Sequence, residues 1–157
     1  MGHLTTAPIS WDRVIYLNRS ASRDGCGAVV TFVGIVRADQ DGRHVVRALF
    51  YEAYPEMVES LIHRLVNEAR AQWALEGVQV QHRLGLVEVG QISVVVVVAA
   101  QHRAQAYAAS QFLIEQIKHD VPVWKREQYD DGTSRWVTGV PELLDVVDPS
   151  GADHAHV

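Results

Sequence analysis

The sequence predicts an α+β domain, a mostly antiparallel sheet with about three helices, and three patterns carry that prediction. Val58, Leu61, Ile62, Leu65, Ala69 and Trp73 recur at three- and four-residue spacing, the period of an amphipathic helix. Ile92 to Ala100, ISVVVVVAA, is β-branched and unbroken, as expected of a strand covered on both faces. Val123 to Tyr129 and Ser134 to Val137 flank Asp130-Asp131-Gly132, whose residue types suit a hairpin turn.

In chain order, Ser10 can cap a first helix whose apolar side is Trp11, Val14, Ile15 and Leu17, ending before Asp24-Gly25. Gly27 to Val36 is rich in β-formers and Val45 to Glu52 resumes an extended pattern after the turn ADQDGR, so the two are expected to form a hairpin with a long loop. Pro55 opens the amphipathic helix, because its missing N–H costs nothing in a first turn. Gly77 is expected to stop it, and Val78, Val80, His82 and Leu84 alternate with polar neighbours as in a half-buried strand. Gly85 and Gly90 bracket a short connection to the valine strand. A third helix follows over Ala104 to Lys118, and Pro122 ends that region. Residues 1–140 read as one domain and 141–157 as a tail, expected to be mobile where it becomes PSGADHAHV.

Composition narrows the function. The chain has 157 residues, 48% hydrophobic and 21% charged, enough for one domain with its own core and too apolar for disorder. Its net charge of −5 argues against nucleic-acid binding, so any cationic cluster must be local. One cysteine, Cys26, excludes an internal disulfide framework and fits a reducing, cytoplasmic setting. No apolar run reaches the length of a spanning helix, and no membrane association is expected. The eight histidines form no metal-binding spacing, so no metal is expected.

Two segments carry cationic groups in suggestive places. His102 and Arg103 lie where the valine strand passes into the third helix, and a helix N-terminus favours anions. Taken alone, the spacing favours the plainer reading, with His102 a strand cap and Arg103 a solvated helix residue. Lys118 and Lys125 flank a Pro-Trp turn in KHDVPVWKRE, and a lysine that is desolvated or set beside other cations becomes usable as acid, base or nucleophile. A plain surface charge run, with Glu127 balancing Arg126, is the alternative. Arg37 closes the strand FVGIVR and could be an exposed end cap.

In order, FVGIVR, YEAYPEM, HRLG, the His102-Arg103 pair, Ile117-Lys118, PVWKRE and DDGTSRW are similar to the large subunits of molybdopterin synthases, and the resemblance covers about Ser10 to Thr138. It implies an α/β hammerhead type of fold and a homodimer within a heterotetramer, with a small ubiquitin-like sulfur-carrier subunit ending in Gly-Gly at each end. The implied reaction moves sulfur from that partner's C-terminal thiocarboxylate to a small-molecule pterin, cyclic pyranopterin monophosphate (precursor Z), giving the dithiolene of molybdopterin. No cofactor of the chain's own is implied. Carried over residue by residue, the pocket is Arg37, His102, Arg103, Lys118, Lys125 and Glu127, with Lys118 and Lys125 catalytic. The ADQDGR loop departs from relatives that carry asparagine before the glycine, which touches loop geometry and not chemistry. Two competing readings are a binding module that keeps the groove without sulfur transfer, and a phosphoesterase, for which hydrolytic machinery is lacking.

Overall fold

The computed structural model describes residues 2–137, and the expected mobile tail lies outside them. Nine strands and three helices are ordered β1 (Leu4–Thr5), α1 (Trp11–Ala21), β2 (Ala28–Ile35), β3 (Gln40–Asp41), β4 (His44–Ala53), α2 (Pro55–Gln72), β5 (Leu75–Arg83), β6 (Gly85–Glu88), β7 (Ile92–Ala100), α3 (Arg103–Asp120), β8 (Val123–Tyr129) and β9 (Ser134–Trp136). This is the α+β class that the periodicities predict. One sheet has the order β1-β5-β7-β2, antiparallel except for β1 against β5. The other runs β3-β4-β8-β9, with β6 also paired to β4.

The valine strand is the centre of the molecule. Val95 to Ala100 have no exposed surface, and the period of two divides them between two layers. Val94, Val96 and Val98 pack with Val58, Ile62 and Leu65 of α2 and with Ala109, Leu113 and Ile117 of α3. Val95, Val97 and Ala99 pack with Val14, Leu17 and Ala21 of α1. The start of α1 is fixed as expected, since Ser10 Oγ accepts the Arg13 N–H at 3.2 Å.

Three local expectations are corrected. Residues 27–36 and 45–52 do not form a hairpin: β2 pairs with β7, whereas β4 pairs with β6 and β8. Phe32 on one side of β2 and Val33 on the other pack, partly buried, against the two layers of the core that β7 divides. By contrast β4 carries the exposed polar residues His44, Arg47 and Glu52 along its length and takes its partners in the other sheet. Gly77 does not end α2, which stops at Gln72 with Trp73 as its C-cap. The glycine instead lies buried inside β5, where a Cβ would overlap the Ala21 carbonyl at the end of α1. Finally, the short connection between Gly85 and Gly90 contains strand β6.

Candidate active site

The two sheets and the end of α3 enclose a cleft of about 200 Å³. The last two turns of α3 bring Ile114, Ile117 and Lys118 to it, β8 brings Val123, Trp124 and Lys125, and Tyr51, His82 and Ser93 come from β4, β5 and β7. Lys125 lies directly opposite Tyr51 in the β4–β8 ladder, so their side chains are neighbours on one sheet face. Val137 anchors the far edge: its N–H bonds the Lys125 carbonyl at 2.9 Å and its side chain lines the cleft.

The electrostatics of the cleft are those of crowded cations. Lys118 keeps an exposed surface, yet the protein packed against it holds its ammonium below the usual lysine range, an effect reinforced by Lys125 and then by Arg37. Three cations, from α3, β8 and the loop after β2, thus share one field. Among the described residues neither Lys118 nor Lys125 forms an ion pair. Arg37 stands at the rim, its side chain 84% exposed and its Nε 2.8 Å from Asp39 Oδ1. The arrangement can hold an anion, and it places beside that anion an ammonium that gives up its proton more readily than an ordinary lysine.

The six expected residues do not all meet. Lys118 and Lys125 do, Arg37 acts on Lys118 from the rim, and Glu127 lies two residues beyond Lys125 on the same side of β8, where it accepts a hydrogen bond from the Tyr129 hydroxyl at 2.7 Å. His102 and Arg103 are exposed at the opposite end of α3, about 22 Å from Lys118 at the rise of an α-helix. Their position does suit an anion, because the first turn of α3 has no acidic residue and His102 makes no side-chain cap.

Residues 4–120 match the family model described as MoaE protein. The chain belongs to the MoaE family. It is 39% identical over 136 residues to the molybdopterin synthase catalytic subunit of Nostoc, spanning 86% of this chain and 80% of that one. The corresponding subunit of Thermoplasma volcanium is 44% identical over 114 residues, 73% of this chain and 82% of the relative. A crystal structure of molybdopterin synthase from Staphylococcus aureus superposes with a TM-score of 0.78 at 31% identity, over 87% of this chain and 96% of that chain. Membership of the MoaE family makes this chain a sulfur-transferring enzyme of molybdenum cofactor biosynthesis. The family match ends at residue 120, so Lys118 lies inside it and Lys125 and Glu127 beyond it.

Sequence reasoning missed the back of the cleft. Tyr51 and His82 stood in two of the motifs that carry the resemblance, YEAYPEM and HRLG, but they lie on strands of different sheets, and only the fold places them beside Lys118. Burial pushes the Tyr51 hydroxyl up, partly offset by Ser93, and pushes the His82 imidazole down to about 4. A different group, His44, Asp130 and Asp131, gathers at the β8–β9 turn with ligand atoms within 4.8 Å of one another. All three are exposed, and Asp130 and Asp131 already accept the backbone N–H groups of Val45 and Thr133.

Proposed function

We propose that the chain is the catalytic half of a two-protein sulfurtransferase. A small ubiquitin-like partner ending in Gly-Gly delivers sulfur as a C-terminal thiocarboxylate, and cyclic pyranopterin monophosphate receives it in two successive transfers that build the molybdopterin dithiolene. The observation that carries this reading is the pairing of Lys118 and Lys125 in one cleft, with Lys118 held below the usual lysine range by burial, by Lys125 and by the charge of Arg37 at the rim. Both reactants are anionic, and a cationic cleft brings them together while positioning lowers the barrier. Donors aimed at developing negative charge are commonly worth about 10²–10³ in rate each. Lys118 acts at the reacting carbonyl or as the acid–base group, and Lys125 supports binding and proton transfer. Sulfur arrives already activated, so the chain needs no cofactor of its own, and the single cysteine fits a reducing cytoplasm.

His102 and Arg103 enter this scheme through a second copy of the chain. Arg103, Tyr107, Gln111, Ile114 and Lys118 follow one stripe of α3 at four- and three-residue spacing. A two-fold axis that pairs these helices antiparallel sets Arg103 of each copy beside Lys118 of the other, the isologous geometry of a symmetric homodimer. The phosphate of the substrate is then held at the α3 N-terminus of one copy while sulfur transfer occurs in the cleft of the other.

Reconstitution tests the reading: the purified chain, its thiocarboxylated partner and the precursor are mixed, and dithiolene is followed by mass spectrometry. Product is expected, and its absence with an active partner contradicts the enzyme assignment. Lys118→Ala is expected to abolish turnover with partner association retained. Arg103→Ala is expected to weaken precursor binding, and unchanged affinity counts against its anion role.

A further inference from the structure

The three cations do not account for the back of the cleft. His82 is 8% exposed and lines that wall. Its Nδ1 lies 2.8 Å from the Arg83 carbonyl. A carbonyl only accepts, so Nδ1 carries the hydrogen, and in the neutral ring Nε2 presents a lone pair. The ring is neutral because burial outweighs the opposing pull of the Arg83 carbonyl, and the charge of Lys118 acts in the same sense as burial. Tyr51 packs edge-on against the imidazole, with centroids 5.2 Å apart, and holds its plane. Among the described residues Nε2 has no hydrogen-bond partner.

The polar groups of the cleft therefore sort by what they can take. Ammonium groups only donate, so Lys118 and Lys125 select an anionic end. An imidazole lone pair repels that same anion and needs a hydrogen to accept. We propose that His82 is a specificity-determining residue of the sulfur-transfer site, its Nε2 accepting a hydrogen bond from an N–H group of a reactant whose anionic end is held by Lys118 and Lys125.

The inference rests on the sulfur-transfer reading, in which both reactants carry this chemistry. The donor tail has peptide N–H groups next to its thiocarboxylate, and the precursor has ring N–H groups as well as its phosphate. The shared feature is an N–H donor tied to an anion, and it separates a reactant from a simple anion such as phosphate.

The test uses the chain labelled with [¹⁵N]histidine, to which either the partner in its unreactive carboxylate form or the precursor is added. The His82 Nε2 resonance is expected to have the character of an unprotonated nitrogen in the free protein and to move on addition of one of the two. His82→Asn keeps a donor for the Arg83 carbonyl and lacks the Nε2 acceptor, whereas His82→Gln can return an acceptor to that position. For the reactant that moves the resonance, KM is expected to rise about tenfold in His82→Asn, the scale of one lost hydrogen bond, with kcat within about threefold and most of the loss recovered in His82→Gln. A protonated Nε2 in the free protein overturns the proposal without recourse to any variant. So does an Nε2 resonance unmoved by both reactants while the wild-type enzyme turns over, and that result leaves the sulfur-transfer reading intact. Absence of turnover by the wild-type enzyme removes the reading and the inference with it.

Discussion

Lys118 and His82 line one cleft, and burial weakens the hold of both on a proton. For Lys118 the consequence is a larger share of free amine near neutral pH, where it can take a proton or attack a carbonyl. Lys125 contributes to that lowering, so Lys125→Met should raise the Lys118 value and move the ascending limb of the pH–rate profile to higher pH. A limb that stays in place means that another group titrates. For His82 the consequence is a stability that depends on pH. Its folded value, about 4, lies below the unfolded value of 6.5, so the unfolded chain binds more protons between the two. Stability falls as pH drops through that window, by on the order of 3 kcal/mol at most. Urea unfolding at pH 7 and pH 4.5 should show the loss in the wild type and a smaller one in His82→Gln.

Among the elements, β7 is the most demanding, since its residues from Val95 to Ala100 have no exposed surface on either side. Val95→Thr and Val96→Thr each place a hydroxyl in a different layer, and each should cost about 1–3 kcal/mol in denaturant unfolding. A strand with one wet face would tolerate one of the two. In β5, Gly77→Ala should destabilise by about 1–3 kcal/mol, because the new methyl meets the backbone of Ala21 at the end of α1. Such features divide by how local their signal is. The three helices, the valine strand and the β8–β9 turn, with Gly132 at φ 83°, were legible because capping, periodicity and turn chemistry act over a few residues. Strand pairing was not, since β2 takes β7, far along the chain, as its partner and not the neighbouring β4. Nor was the function of Gly77, whose constraint comes from a helix more than fifty residues earlier. For the site, the lysines stood out because charge flanks a turn between two readable elements. Tyr51 and His82 did not, because a tyrosine and a histidine in alternating strands look like ordinary strand residues.

At the scale of the whole molecule, the residues implied by family resemblance fall into two groups separated by the length of α3. Lys118, Lys125 and Arg37 share a field at one end, and His102 and Arg103 occupy the other. The separation was already implicit in a helix predicted over Ala104 to Lys118, since 3.6 residues per turn keep such distant positions far apart in one chain. No described helix is long and apolar enough to cross a membrane. The stripe through Tyr107, 65% accessible, is exposed, and in the proposed homodimer a second copy would join the two groups into complete sites. Mixing two defective variants, at a precursor concentration too low for Arg103→Ala to turn over, is the direct test. Lys118→Ala and Arg103→Ala are purified separately, combined so that subunits exchange, and assayed for dithiolene formation with the thiocarboxylated partner and precursor. If each site takes Lys118 from one copy and Arg103 from the other, a mixed dimer contains one intact site, and an equimolar mixture recovers about a quarter of wild-type activity. A mixture that exchanges subunits and stays inactive contradicts a shared site, because a site built within one chain leaves every copy defective.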